Sequence, residues 1–543
     1  MENTVKFSVA GIVTAFFAWF IYWLSQPAVN LANPAFWWYM ICIGVILTIC
    51  FAIAGAYDEF YTPAFISGGI SALLLVILII GAIAGSAMFS SHKYHTRLDV
   101  QGTTFEEEFS EVNWNTVPQV DKDSSIILGK RKMGTLTNMV SQYNVMDEYT
   151  IIGYNGSPVR VSPLCYAGFF KYKNNKINGI PGYILVNGVT KEAEYVELEE
   201  GMQYSPSSYF AKDLNRYLRR NFRNTMFGEF SFEIDDEGNP FWIIPTYKYG
   251  AGIGGAKTPT GCITVDPISG KLKFYSLDSV PEWIDAALDP NITVSMIDSW
   301  GKFGDGFLNT LFGQQGVKVS TQGYNYVTIG NDVYLYTGIT SVVADESNIG
   351  FILVNMRTAQ AKYFELDSAE EYSAMDSAKG QVQHLNYEAT FPILISIEEV
   401  PTYFLSLKDA AGLVKMYAFV SVQNIQHVSV TDAALGVETA MNNYKKLLAS
   451  NPNMTPNTDN TNSSISIVVD EIYSAIIDGN SYYYIIADGQ LYVASITAGQ
   501  YILPILKIGD SVNVSYYEVN SHREIIIVED LQWLIWILKT ALQ

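Results

Sequence analysis

Between residues 7 and 57 the chain carries no Asp, Glu, Lys or Arg, and after Asp58 and Glu59 a second uncharged run continues to Ser91. A helix in an ordinary core keeps a charged outer face. Runs of this kind belong in hydrocarbon, about 30 Å of which takes roughly 20 helical residues to cross. Prolines and polar residues divide the region into three predicted spans, residues 7–25, 35–56 and 64–89, separated at Gln26-Pro27 and Thr62-Pro63. Trp19, Tyr22, Trp23, Trp37, Trp38 and Tyr39 mark one membrane interface, and Tyr57, Phe60 and Tyr61 the other. The first span is too long for a signal-peptide core and two more follow it, so no cleaved leader is expected.

The third span contains Gly68-Gly69 and the spacing Gly81-Ala-Ile-Ala-Gly85. Small residues four apart let helix backbones approach closely. Gly81 and Gly85 thus read either as a dimerisation face or as small residues that a membrane helix tolerates anywhere.

Three spans put the N-terminus and the Asp58-Glu59 loop on one side and the large remaining domain on the other. Lys93 and Arg97 after the third span lean toward a cytoplasmic domain. The acidic, Tyr-, Asn-, Ser- and Thr-rich composition of that domain leans the other way, and the expectation is a multi-pass membrane protein with an extracytoplasmic domain.

Beyond residue 90 the pattern changes to short apolar runs broken by turn residues. Segments 182–198, 261–277 and 350–366 align without gaps, 79 and 89 residues apart. Each begins with Gly, runs as a strand to Asn187, Asp266 or Asn355, turns, and continues as a second strand. Asn and Asp suit the turn because their side chains bond neighbouring backbone groups. A looser fourth copy covers 402–420. Helices are predicted between the copies, at 208–223, 281–288, 369–379 and 431–450. The strand, Asp-Pro-x-Ser-Gly, strand pattern at Asp266–Gly270 resembles the hairpin of PepSY-type modules. That resemblance covers about 17 residues per copy and implies an extracytoplasmic α+β binding or inhibitory module.

A Pro- and Asn-rich linker follows at 451–464. Short strands at 465–530, with turns at Asp478-Gly, Asp488-Gly and Gly509-Asp, resemble an OB-type β-barrel. Such barrels often bind single-stranded nucleic acid, but this stretch holds nine acids against Lys507 and Arg523, so a packing or assembly module is expected. Residues 531–543, with Trp533 and Trp536, are too few to span a bilayer. They read as an interfacial or buried amphipathic helix. The fold class expected is therefore α+β and membrane-anchored. Residues 1–90 form the anchor, 91–450 a modular domain with repeated hairpins, and the C-terminal part a small β-barrel.

The formal charge of −21 over 543 residues argues against nucleic acid as a partner, since phosphate binding needs a basic surface. Of the four cysteines, Cys42 and Cys50 lie in the second span, which leaves Cys165 and Cys262 without metal spacing. The histidines His92, His95, His384, His427 and His522 form no helical metal-binding pair, and no Gly-x-Ser-x-Gly elbow occurs. Gly250-Ala-Gly-Ile-Gly-Gly255 formally matches the dinucleotide fingerprint, but a strand rather than a helix follows it, so a loop is expected. Asp235-Asp-Glu-Gly-Asn-Pro240 lacks the ligand spacing of a calcium loop and reads as a hairpin turn.

No catalytic, cofactor-binding or metal-binding residue is thus expected. One charge pattern stands out. Arg216, Arg219, Arg220 and Arg223 fall at i, i+3, i+4 and i+7 of a predicted helix. They read as a docking face for an acidic surface or as a solvated face neutralised locally. The sequence as a whole suggests a non-enzymatic scaffold that sits in the lipid bilayer and self-associates as a homo-oligomer. The alternative is a receptor-like protein that binds a small molecule, peptide or glycan and relays it across the membrane.

Overall fold

The computed structural model describes residues 2–56, 59–330, 332–341, 347–449, 463–477, 480–499, 502–519 and 522–529. Residues 451–462 of the expected linker and the C-terminal segment with Trp533 and Trp536 lie outside these.

Three helices, α1 (Glu2–Ser25), α2 (Pro34–Gly55) and α3 (Thr62–Gly85), are long and apolar enough to span a membrane. Each starts or stops where the local chemistry demands. Asn33 caps α2, accepting the Ala35 amide at 3.1 Å, and Pro34 opens its first turn. Polar contacts join the helices: Thr48 Oγ1 donates to Ser67 Oγ at 3.0 Å, and Tyr39 to the Ala18 carbonyl at 3.2 Å. Large apolar side chains such as Ile12, Phe65 and Ile80 are exposed on the outside. A short helix α4 (Ala87–His95) leads into β1 (Val100–Gly102) and α5 (Phe105–Glu108).

The chain forms two compact units, residues 1–395 with 401–437, and residues 396–400 with 438–543. The soluble part of the first holds four sheets built on one plan. Sheet 1 comprises β2 (Tyr143–Val145), β3 (Thr150–Tyr154), β4 (Ser157–Tyr166), β5 (Ile180–Asn187) and β6 (Ala193–Met202). Sheet 2 comprises β7 (Met226–Phe227), β8 (Ser231–Ile234), β9 (Pro240–Ala251), β10 (Gly255–Val265) and β11 (Leu272–Ser276). Sheet 3 comprises β12 (Lys318–Ser320), β13 (Asn325–Ile329), β14 (Asp332–Ser341), β15 (Ser347–Asn355) and β16 (Ala361–Ala369), with β1 added in parallel at its edge. Sheet 4 comprises β17 (Glu388–Ala389), β18 (Ile393–Ile397), β19 (Val400–Lys408), β20 (Val414–Ser421) and β21 (Val428–Asp432). In every sheet the first two strands share one edge of the third, and the third, fourth and fifth form a meander.

The aligned segments are the last two strands of sheets 1, 2 and 3. The looser fourth copy is β19–β20, one strand earlier in its sheet. All four turns use the same chemistry. The side chains of Asn187, Asp266, Asn355 and Asp409 each accept two backbone amides from the turn, at 2.8 to 3.2 Å. The glycine that opens each of the three aligned copies also has a physical role. Each sits at a register shift, and a Cβ there would meet the opposing carbonyl at 2.1 Å (Gly182), 1.9 Å (Gly261) or 2.3 Å (Gly350). Tyr195 and Tyr363 cover two of these glycines and donate to the carbonyls of Pro181 and Ile349.

Helices join the sheets: α6 (Lys122–Gly134) precedes sheet 1, α7 (Phe169–Asn175) lies within it, and α8 (Leu214–Asn221) leads to sheet 2. α9 (Pro290–Lys302) and α10 (Phe307–Leu311) lead to sheet 3, and α11 (Glu371–Gln381) to sheet 4. The helix expected at 208–223 is limited to α8. The helix expected at 281–288 is irregular chain, because the Glu233 carboxylate takes the amides of Asp285 and Ala286 (2.9 and 2.8 Å) that a helix would otherwise use.

The four sheets meet as a ring. Sheets 1 and 2 share a core of Val161, Leu164, Ile184, Phe232, Trp242 and Ile263. Tyr247 of sheet 2 packs with α9 and sheet 3 around Met296, Leu335 and Ile352. Sheets 3 and 4 share Tyr336, Phe351, Phe364, Tyr403 and Leu405. Sheet 4 returns to sheet 1 through polar contacts: Tyr417 donates to Gln119 Oε1 at 2.7 Å, and the Gln119 amide to the Gly188 carbonyl at 2.8 Å.

The second unit contains α12 (Val437–Ala449) and a six-stranded sheet. Its strands are β22 (Ser463–Val468), β23 (Glu471–Ile477), β24 (Asn480–Ala487), β25 (Gln490–Ser495), β26 (Ser511–Val519) and β27 (His522–Glu529), ordered β22-β26-β27-β25-β24-β23. Within this sheet, only β25 and β27 run parallel among the described pairs. Ile485, Tyr492, Val512 and Val514 centre its core. The β22–β23 pairing that would close the expected barrel is absent from the described registers.

Candidate functional site

The chain segment between the first and second strands of each sheet points to the middle of the ring. Tyr149–Ile151, Glu229–Ser231, Tyr324–Tyr326 and Ala389–Phe391 thereby line one cleft of about 490 Å³. Asp121 to Asp123, Glu148, Arg160, Asp285 and Lys408 add charged groups to its wall. The segments hold each other in place: Asn325 donates to the Phe391 carbonyl at 3.1 Å, and the Phe232 amide to Thr150 Oγ1 at 3.2 Å.

Most of the charge in the cleft is internally matched. Lys408 Nζ lies 2.6 Å from Asp121 Oδ2, and Lys122 Nζ lies 3.3 Å from Glu148. Burial alone would raise the Asp121 carboxyl, but hydrogen bonds from Lys408 and Ser124 hold it below the usual carboxylate range. Arg160 differs. It sits on β4 with 7% of its surface exposed, and its Nε has no partner. Its side chain forms no ion pair or hydrogen bond among the described residues. Burial lowers its pKa, which the negative field of Asp121 partly counters.

Opposite in charge and also buried are Glu233 and Asp285. Glu233 is pushed up to about 7 by burial, against the pull of the two amides it accepts. Asp285 rises well above an ordinary Asp because of burial first and the neighbouring Glu233 second. Asp285 Oδ2 accepts the Gly153 amide at 2.7 Å, whereas Oδ1, on the cleft wall residue, has no partner. Among the described residues no group of three or more His, Cys, Asp or Glu is placed to hold a metal ion.

The residues singled out in the sequence lie elsewhere, where the membrane helices meet the sheets. Gly81 and Gly85 receive the β9–β10 hairpin tip, the same Gly-rich segment that mimics a dinucleotide fingerprint. The Ile253 amide donates to the Gly81 carbonyl and the Gly254 amide to the Ala32 carbonyl, both at 3.0 Å. A Cβ on Gly85 would lie 2.7 Å from the Ala251 carbonyl oxygen. Arg216 places its guanidinium 4.1 Å from the Trp23 ring centroid and donates to the Trp23 carbonyl at 3.2 Å. Arg219 donates to the carbonyls of Phe222, Arg223 and Thr225. Arg220 and Arg223 are exposed. Arg97, just past the end of α4, ties it to β10 through the Lys257 carbonyl and to α9 through the Ser295 carbonyl and Ser299, and burial lowers its pKa to about 10. Sequence reasoning missed the cleft altogether. The one available signal was Arg160 within the apolar run Val159–Pro163, an arginine where a core strand expects none.

No family model matches this sequence, and none of the curated proteins does. Among solved structures, a levansucrase variant of B. megaterium aligns at 9% identity over 77% of this chain and 97% of that one, with a TM-score of 0.17. That score is far below what a shared fold gives.

Proposed function

We propose that this is a receptor-like membrane protein that binds a small ligand in the cleft at the centre of its four-sheet ring. One observation carries the reading: a buried arginine with no ion pair or hydrogen bond to its side chain among the described residues lines a cleft of about 490 Å³, within the size range of ligand sites. An unpaired buried charge is costly unless something pairs with it, and no described residue forms an ion pair with this one. On this reading α1 to α3 anchor the protein as a multi-pass bundle, and the ring faces the extracytoplasmic side, in keeping with its acidic composition. The hairpin tip on Gly81 and the Arg216–Trp23 contact are the mechanical links between cleft and bilayer. The self-associating scaffold is the weaker reading, because Arg216 and Arg219 are engaged within the chain.

The test is thermal denaturation of the full-length protein in mild detergent against a panel of carboxylates, phosphates, sugars and short peptides. At least one class should raise the melting temperature, and alkylation of a Ser231→Cys variant in the cleft should abolish that rise. Absence of any response across the panel would sink the binding reading. For sidedness, an Ile177→Cys variant, 85% exposed at that position, should react with a membrane-impermeant maleimide in intact cells above the wild-type background. Labelling only after permeabilisation would reverse the orientation.

A further inference from the structure

Resting on the cleft reading above, we infer that the ligand is an amino-carboxylate, a free amino acid or short peptide whose carboxylate pairs with Arg160 and whose ammonium faces Glu229 and Asp285. The charge inventory of the wall leads there. Of its three cations, Lys408 and Lys122 already have carboxylate partners, which leaves the Arg160 guanidinium without an ion pair among the described residues. A guanidinium offers a planar pair of donors that matches a carboxylate. Inorganic phosphate or a phosphoryl group would bring more negative charge than one guanidinium offsets, into a wall where the two lysines are already paired with Asp121 and Glu148 and where Glu229 and Asp285 remain.

Two acids of the wall, the exposed Glu229 and the buried Asp285, are left over once these pairs are made. Glu229 accepts a hydrogen bond from Asn291 at 3.0 Å and the Asp285 carboxyl one from the Gly153 amide, but neither forms an ion pair among the described residues. Asp285 is 2% exposed and its Oδ1 lacks a donor. An ammonium supplies donors of the right charge to such oxygens. A simple monocarboxylate would pair with Arg160 and leave these acids without a cation, and a neutral sugar would pair with neither charge. Phe230, Tyr324, Tyr326 and Phe391 give the cleft aromatic surface for a side chain between its two charged ends.

The experiment titrates the full-length protein in detergent by calorimetry with four probes: alanyl-phenylalanine, its N-acetyl form, its C-terminal amide, and inorganic phosphate. The free dipeptide should bind, and blocking either end should weaken binding by at least about thirtyfold, as expected when one partner of a desolvated charge pair is removed. Arg160→Gln should bind the acid and the amide within about twofold of each other while still distinguishing the N-acetyl form. The wild-type comparison of acid with amide needs no variant, so a folding defect in Arg160→Gln leaves the test intact. Equal binding of acid and amide, or binding of phosphate alone, would overturn the inference while leaving a ligand cleft in place. If all four probes fail but sugars or other panel members still stabilise the protein, the inference falls and the cleft reading stands; silence from every compound removes both.

Discussion

The backbone amide of Ile253, at the tip of the β9–β10 hairpin, donates to the carbonyl of Gly81 in α3 at 3.0 Å, and its side chain fills the space above that glycine. A strand hairpin thus lies on the small-residue stripe of a membrane-length helix. The spacing Gly81 to Gly85 that suggested a helix dimer receives a hairpin of the same chain, because the absence of side chains admits any closely approaching backbone.

This contact predicts a position-specific effect along α3. Gly85→Leu has to displace the Ala251 backbone, which cannot yield as a flexible side chain would. It should destabilise the detergent-solubilised protein by about 1–3 kcal/mol. Gly69→Leu, where a Cβ meets nothing within 4 Å, should be near neutral. Melting temperatures of the two variants side by side check this; equal shifts would mean that the hairpin does not need the stripe.

The opening glycines of the repeats make a second prediction. Gly182→Ala, Gly261→Ala and Gly350→Ala each force a methyl onto an opposing carbonyl and should cost about 3 kcal/mol or reach the threshold of misfolding. Gly380→Ala, in α11 with open space around it, should stabilise by about 0.5–1 kcal/mol. Chemical denaturation midpoints give the comparison directly.

The arginine cluster predicts a graded series rather than a uniform stripe. Arg219→Gln withdraws a donor from three carbonyls and should cost about 1–3 kcal/mol. Arg216→Gln loses the Trp23 ring and one hydrogen bond and should cost about 1 kcal/mol. Arg220→Gln, exposed, should change stability by less than about 0.5 kcal/mol. If Arg220→Gln alone reduces the size of the detergent complex, the scaffold reading gains the support that it lacks here.

Glu233 predicts a pH dependence. Its carboxyl is raised by burial from an ordinary 4.5 to about 7. Below the unfolded value both states hold the proton and its stabilising contribution is fully present. As pH rises from there through about 7, the unfolded chain ionises before the folded one, and stability falls. Asp285 shifts in the same direction and adds the same sign. Denaturant titrations at several pH values should show a loss on the order of 1–3 kcal/mol across this window. Glu233→Gln should flatten the profile while lowering stability at the acid end, because one of its two amides loses an acceptor. An unchanged pH slope in that variant would place the titration elsewhere.

What the sequence alone determined is what local chemistry can determine. Charge is excluded from three runs of membrane length, and three such helices form there. Asn187, Asp266, Asn355 and Asp409 make turns because a short polar side chain reaches its own backbone two or three residues on. Alternating β-branched and aromatic residues between these turns make strands. Each of these signals spans fewer than about 25 residues and does not depend on what packs against it. The tertiary structure decided the rest. That 281–288 is not a helix depended on Glu233, some 50 residues upstream, capturing its amides. That Gly81 holds a hairpin depended on Ile253. The cleft exists only because four sheets close on one another, bringing Asp121 within 2.6 Å of Lys408 across 287 positions of sequence, and because that closure buries Arg160 with no ion pair among the described residues. Periodicity says which side of a strand is apolar; it carries no information about which distant strand meets that side, and a binding cleft is made of such meetings.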